Sequence, residues 1–207
     1  MKGFVRLLTI VIFCFGANNA LAKLSAKQTT EKLIDALKTV KVATDDKTEL
    51  SAADLQSNNT NFKELDQYFD FERIVTDTIK PHETKLSASQ LGQFKTNFRD
   101  LIRLVLYPNA GTYIKKAVYH FKKHVEGKDT ADIEIEGEIK EEDVNASIVF
   151  HWYGSNKSWR IYDITFDGSS LVKDYQNQFG RIIEKETANG LVKKITDRLN
   201  KEKQKQR

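Results

Sequence analysis

The chain has 207 residues, with 33 Lys or Arg against 29 Asp or Glu and a formal net charge of +4. So small an imbalance leaves no strong nucleic-acid footprint. The single cysteine, Cys14, excludes an internal disulfide, so stability must come from a buried core.

Residues 1–22 read as a secretory signal. Lys2 and Arg6 precede the apolar run LLTIVIFCF, and Gly16 and the small-residue site Ala20-Leu21-Ala22 follow, with Ala22 as its last residue. A lipoprotein anchored through Cys14 competes with this reading, but Phe13 is bulky where such signals need a small residue. The run is also short of the about 20 apolar residues that span a bilayer. The expected mature protein is exported and comprises residues 23–207. We read it as one domain with a basic, frayed tail KEKQKQR, although length alone would allow two small ones.

Between Ser25 and Val42, Leu33, Ile34, Leu37 and Val40 recur at helical spacing. The polar stretch TDDKTELSAADLQSNNTN then reads as a loop with at most a short helical turn. FKELDQYFDFERIVTDTI supplies one or two short helices, ended by Pro81. Ser87-Ala88-Ser89-Gln90 has the spacing of a capping box and opens a long helix. Its stripe comprises Leu91, Phe94, Phe98, Leu101, Ile102, Val105 and Leu106, broadened by Leu104, with Pro108 as the expected stop.

From Ala117 onward the period changes to that of strands. Tyr119 and Phe121 alternate, Ile133 and Ile135 alternate with acids, and Ile148, Phe150 and Trp152 share one face. The loop GSNKS turns the chain into WRIYDITF, giving four consecutive antiparallel strands. In that last strand, strict alternation sends Tyr162, Ile164 and Phe166 one way and Trp159 and Ile161 the other, so it is expected to be covered on both faces. Gly168 makes a turn, Ser169 or Ser170 caps, and a helix begins with Leu171, Val172, Tyr175, Phe179, Ile182 and Ile183. Asn189-Gly190 is a helix-stop signal before a final helix with Leu191, Val192, Ile195 and Leu199. Helices, a strand meander and helices again define an α+β fold with helices packed on a curved antiparallel sheet.

Few residues suggest chemistry. His120 and His124 would share a face on a helix and could bind zinc, but on a strand they lie about 13 Å apart at about 3.3 Å per residue. Asp163, between Tyr162 and Ile164, is either a functional carboxylate or, several times more often, a buried partner for an arginine or backbone donors. No G-x-S-x-G elbow, phosphate loop or H-E-x-x-H occurs, so we assign no catalytic residue, metal or cofactor. The clusters Lys115-Lys116, Lys122-Lys123 and Lys193-Lys194 read first as solvated surface, and as docking points for anionic lipid or protein second.

The segment WRIYDITFDGSSLVKDYQNQF, followed by IIEKE and NGLVKK, resembles the C-terminal signature of the MlaC or toluene-tolerance family, periplasmic phospholipid-binding proteins of Gram-negative bacteria. YFDFERI, Tyr68 to Ile74, resembles the family's central helical motif, and the likeness runs from about Ser25 to Leu199. It implies a nuclear-transport-factor-2-like cone in which sheet and helices enclose a deep apolar pocket. It also implies a monomeric carrier of phospholipid across the periplasm. The implied partners are an outer-membrane lipid-extracting complex and an inner-membrane ABC transporter. Asp163 and Gly168 match the family pattern in structural roles, a hydrogen-bonding carboxylate and a turn.

The expected lipid-contacting residues come from elements that should face one another: Phe98, Leu101, Ile102 and Val105 on the long helix, and Ile148, Phe150 and Trp152 on one strand. Tyr162, Ile164 and Phe166 on the next strand and Leu171, Tyr175 and Phe179 on the following helix complete the set. The same alternation makes ordinary core. Two other readings stay open: an enzyme of the same cone-like fold using Asp163 and His151 as an acid-base pair, and an interaction module with no cavity.

Overall fold

The computed structural model describes residues 24–43, 49–155 and 158–205. The expected signal and Cys14 lie outside the described residues. Among the described residues no helix is long and apolar enough to cross a membrane.

Helix α1 (Ala26–Thr39) opens with a capping box, Ser25 bonding the Gln28 backbone while the Gln28 side chain returns to the Ser25 N–H. The polar stretch expected to be a loop is in its second part helix α2 (Ala52–Leu65), capped by Ser51, whose hydroxyl accepts from the Asp54 N–H. Its apolar content is low, and the helix is held where Phe62 and Leu65 reach the core and where buried Asn58 bonds both backbone groups of Lys41 at 2.7 and 2.8 Å. Helix α3 (Phe71–Ile79) follows, and Pro81 lies in the tight turn Lys80–Lys85 beyond it.

Helix α4 (Ala88–Lys116) carries the expected Ser87/Gln90 capping box but does not stop at Pro108, which sits inside it. Proline removes one N–H and crowds the carbonyl four residues earlier, yet the flanking turns are fixed by packing that outweighs this local penalty. Tyr107 and Gly111 are buried on either side of it. Gly111 lies so close to α1 that a Cβ there would be 3.1 Å from the Leu37 carbonyl oxygen and from the Val40 Cβ.

The strands β1 (Val118–Glu126), β2 (Thr130–Ile139), β3 (Val144–Ser155), β4 (Ser158–Phe166) and β5 (Ser169–Ser170) form one antiparallel sheet in sequential order, five strands where four were expected. Strand β5 is a two-residue return after the left-handed residues Asp167 and Gly168 (φ 46° and 83°). At the opposite edge, β1 changes register between Phe121 and His124, with Lys122 paired to Glu136 of β2.

A second register shift corrects the alternation expected for β4. His151 pairs with Asp163, but Trp152 pairs with Ile161, so Tyr162 is an extra residue. A bulge of this kind re-aims every side chain beyond it. Consequently Trp159, Ile161, Ile164 and Phe166 all lie on the face that β3 fills with Ile148, Phe150 and Trp152. The strand has one apolar face, not two.

Helix α5 (Leu171–Gln204) starts from Ser170, whose hydroxyl accepts from the Lys173 N–H. It breaks at Thr187 (φ 66°, ψ 176°), ahead of the expected stop at Asn189-Gly190. The Gly190 contribution is space: a Cβ there would lie 2.6 Å from the Glu186 Cβ. The first part of α5 meets α4 through rings, with Phe98 4.9 Å from both Tyr175 and Phe179 and Phe94 5.2 Å from Phe179.

Candidate apolar binding site

Further along α4 the packing opens. A cavity of about 290 Å³ lies between α1, the second part of α4 and the inward face of β3 and β4. Leu33 and Leu37 enter from α1, Phe69 from the turn before α3, and Leu106, Ala110 and Ile114 from α4. The sheet supplies Ile148, Phe150, Ile164 and Phe166, set on one wall by the pairing of Ile148 with Phe166 and of Phe150 with Ile164.

Only two lining side chains are polar, Asn109 and Tyr113. The Tyr113 hydroxyl donates to the Gly137 carbonyl of β2 at 3.0 Å, and its ring meets Phe166 edge-on at 6.4 Å. Gly137 makes this possible, because a Cβ at that position would lie 2.2 Å from the Tyr113 hydroxyl oxygen. Burial, with the charge of Asp167 adding to it, pushes the Tyr113 phenol up and keeps it a donor. The cavity opens on this side: Phe166 is 48% exposed and Asn109 is exposed, whereas Leu33 and Phe69 are 0% and 3% exposed.

Phe69 is held from behind. Its ring stacks on Phe71 at 5.2 Å and tilts against Tyr107 at 5.6 Å. The fully buried Tyr107 donates to Asp66 at 2.9 Å, and Arg103 donates to the same oxygen at 2.6 Å. Burial first, then the Asp66 charge, raises the Tyr107 phenol, so it remains protonated.

Of the residues expected to contact lipid, Ile148, Phe150, Ile164 and Phe166 line this cavity. Phe98, Tyr175 and Phe179 form the ring cluster between α4 and α5 instead, with Leu101 and Ile102 buried and Leu171 partly buried in the same core. Trp152 is fully buried beyond Phe150. Tyr162, displaced by the bulge, lies beneath the Arg73 guanidinium, 4.0 Å from ring centre to charge. Val105 borders a different groove of about 510 Å³, whose rim carries Glu49, Arg198, Glu202 and Lys205. The α1 leucines, Phe69 and the α4 residues beyond Pro108 were not anticipated. The α1 periodicity was visible in the sequence, but nothing in it said which partner that face meets.

Asp163 and His151 have separate partners. Asp163 accepts from the Ser170 hydroxyl at 2.5 Å and the Val172 N–H at 3.1 Å, fastening the start of α5 to β4. The two ring nitrogens of His151 share hydrogen bonds with Asp132 and Thr165, each at 2.8 Å, on the outward face of the sheet. His120 and His124 lie on β1, and no cluster of three or more metal-ligating side chains occurs among the described residues.

Helices over an open antiparallel sheet, with an apolar cavity between them, define the class: an α+β domain. The chain belongs to the MlaC family, whose sequence pattern, described as MlaC protein, matches residues 27–197. Its structure is similar to that of the phospholipid-binding protein from Ralstonia solanacearum, solved in complex with a phospholipid. The TM-score is 0.63 at 19% identity, over 87% of this chain and 99% of that one. No curated protein matches the chain in sequence.

Proposed function

We propose that this protein is a periplasmic phospholipid carrier, which covers acyl chains in the apolar cavity and moves lipid between the outer and inner membranes. The observation that carries the reading is the cavity itself, walled by hydrocarbon side chains and open to solvent beside Phe166. Two acyl chains hold roughly 30 methylenes at about 0.8 kcal/mol each, so their transfer through water is slow unless the tails are covered. A charged headgroup costs least when left in water, and this suits a site with few polar side chains. Family membership and the phospholipid complex of the Ralstonia relative support the same ligand class.

The reading extends to a monomeric carrier, exported after cleavage behind Ala22, that meets an outer-membrane lipid-extracting complex and an inner-membrane ABC transporter. The test is native mass spectrometry of protein purified without detergent. A bound mass that fragments to a diacyl phospholipid is the expected result. A bare protein mass, with no uptake from phosphatidylglycerol vesicles, would sink the carrier reading.

A further inference from the structure

We propose that Asn109 and Tyr113 form the polar contact for the ester and phosphate oxygens of the bound lipid, and that Tyr113 turns off Gly137 to make it. The inference rests on the carrier reading. The two residues are one helical turn apart on α4, so their side chains share a face. They are the two hydrogen-bonding side chains of an otherwise hydrocarbon wall, and they stand at its open side. A lipid whose tails fill the deep end therefore brings its ester linkages to this pair, where an acceptor oxygen has donors to meet.

Volume supplies the reason for movement. An apolar cavity of about 150 Å³ takes one benzene. By that measure the cavity here, about 290 Å³, takes on the order of a dozen carbons, well short of two acyl chains. Wall side chains must therefore shift, Tyr113 among them. Leu33, Phe69 and Ile114 are locked in the core, each at most 3% exposed. Tyr113 is held by one hydrogen bond and an edge contact with the exposed Phe166, in a notch that exists because residue 137 has no side chain. Rotating that one side chain widens the mouth and transfers its O–H from the Gly137 carbonyl to the ligand. Standing at the mouth of the cavity, the pair meets ester and phosphate oxygens common to all diacyl phospholipids, and the variable headgroup alcohol lies outside it in water.

The experiment measures binding of phosphatidylglycerol and of phosphatidylethanolamine, from vesicles of each, against binding of pyrene, a hydrocarbon that cannot accept these hydrogen bonds. The wild type is compared with Tyr113→Phe, Asn109→Leu and the double variant. We expect the ratio of phospholipid to pyrene affinity to fall about fivefold for each single variant and about twenty-five-fold for the double. The two lipids should bind the wild type within about threefold of each other. An unchanged ratio, or a tenfold preference between the lipids, overturns the inference and leaves the carrier reading standing. Equal loss of pyrene and phospholipid makes the pair a structural wall and also overturns it. A wild type that takes up neither lipid overturns the carrier reading instead.

Discussion

Helix α4 passes through two environments. Its first half sends Phe94 and Phe98 into the rings of Tyr175 and Phe179, with centroids about 5 Å apart and mostly edge to face, and the space is filled. Its second half sends Leu106, Ala110 and Tyr113 toward Ile and Phe side chains of a sheet, and a cavity remains. The apolar pattern is similar in both halves. What differs is the partner: a second helix brings aromatic side chains of matching reach, whereas a sheet wall facing small residues such as Ala110 does not close the gap. Apolar periodicity therefore marks where water is excluded, and the opposing element decides whether anything else can enter.

The largest expected break in that contrast is Phe98→Ala, which removes a fully buried ring from the filled half and should cost about 3–5 kcal/mol in urea unfolding. A loss below about 1 kcal/mol would mean the ring cluster is not tightly packed. Asp163→Asn tests the joint between the two regions, since the carboxylate ties cavity-wall strand β4 to ring-bearing helix α5. It should cost about 1.5–3 kcal/mol, read as a lowered melting temperature. Leu106→Ala, in the open half, should cost only about 1–2 kcal/mol because the side chain already borders a cavity and is partly exposed. A cost equal to that at Phe98 would abolish the distinction between the halves. The smallest effect has the opposite sign. Thr187 has φ 66° and ψ 176°, a region reserved almost wholly for glycine, so Thr187→Gly should raise stability by about 1 kcal/mol. An unchanged or lowered urea midpoint would refute the strain.

Much of the frame was legible in the sequence because it is set locally. The Ser87 capping box, the α4 stripe and the Gly168 turn depend on residues within a few positions of each other. One feature hid part of the site and another misplaced Tyr162. Pro108 is a strong local stop signal, and reading it so removed Ala110, Tyr113 and Ile114 from the face of α4 that lines the cavity. The extra residue at Tyr162 inverts the alternation of β4, so Trp159 and Ile161 were assigned away from Ile164 and Phe166 although all four share a face. A bulge arises from pairing with β3 and leaves no mark in the period of its own strand. The Leu33 and Leu37 wall was hidden for another reason: it depends on the close approach of α1 to Gly111, a contact between residues more than seventy positions apart.

Strand β1 is the sheet's long outer border, nine residues whose outward backbone groups have no neighbouring strand among the described residues. Such a border can recruit a strand from another molecule and seed aggregation. Here the change of register after Phe121 and the adjacent charges of Lys122 and Lys123 interrupt any straight template. Replacing those lysines with valine would leave the cavity untouched and expose the molecule to edge-to-edge association as its concentration rises. Colloidal behaviour thus depends on a pair of surface lysines far from the apolar interior.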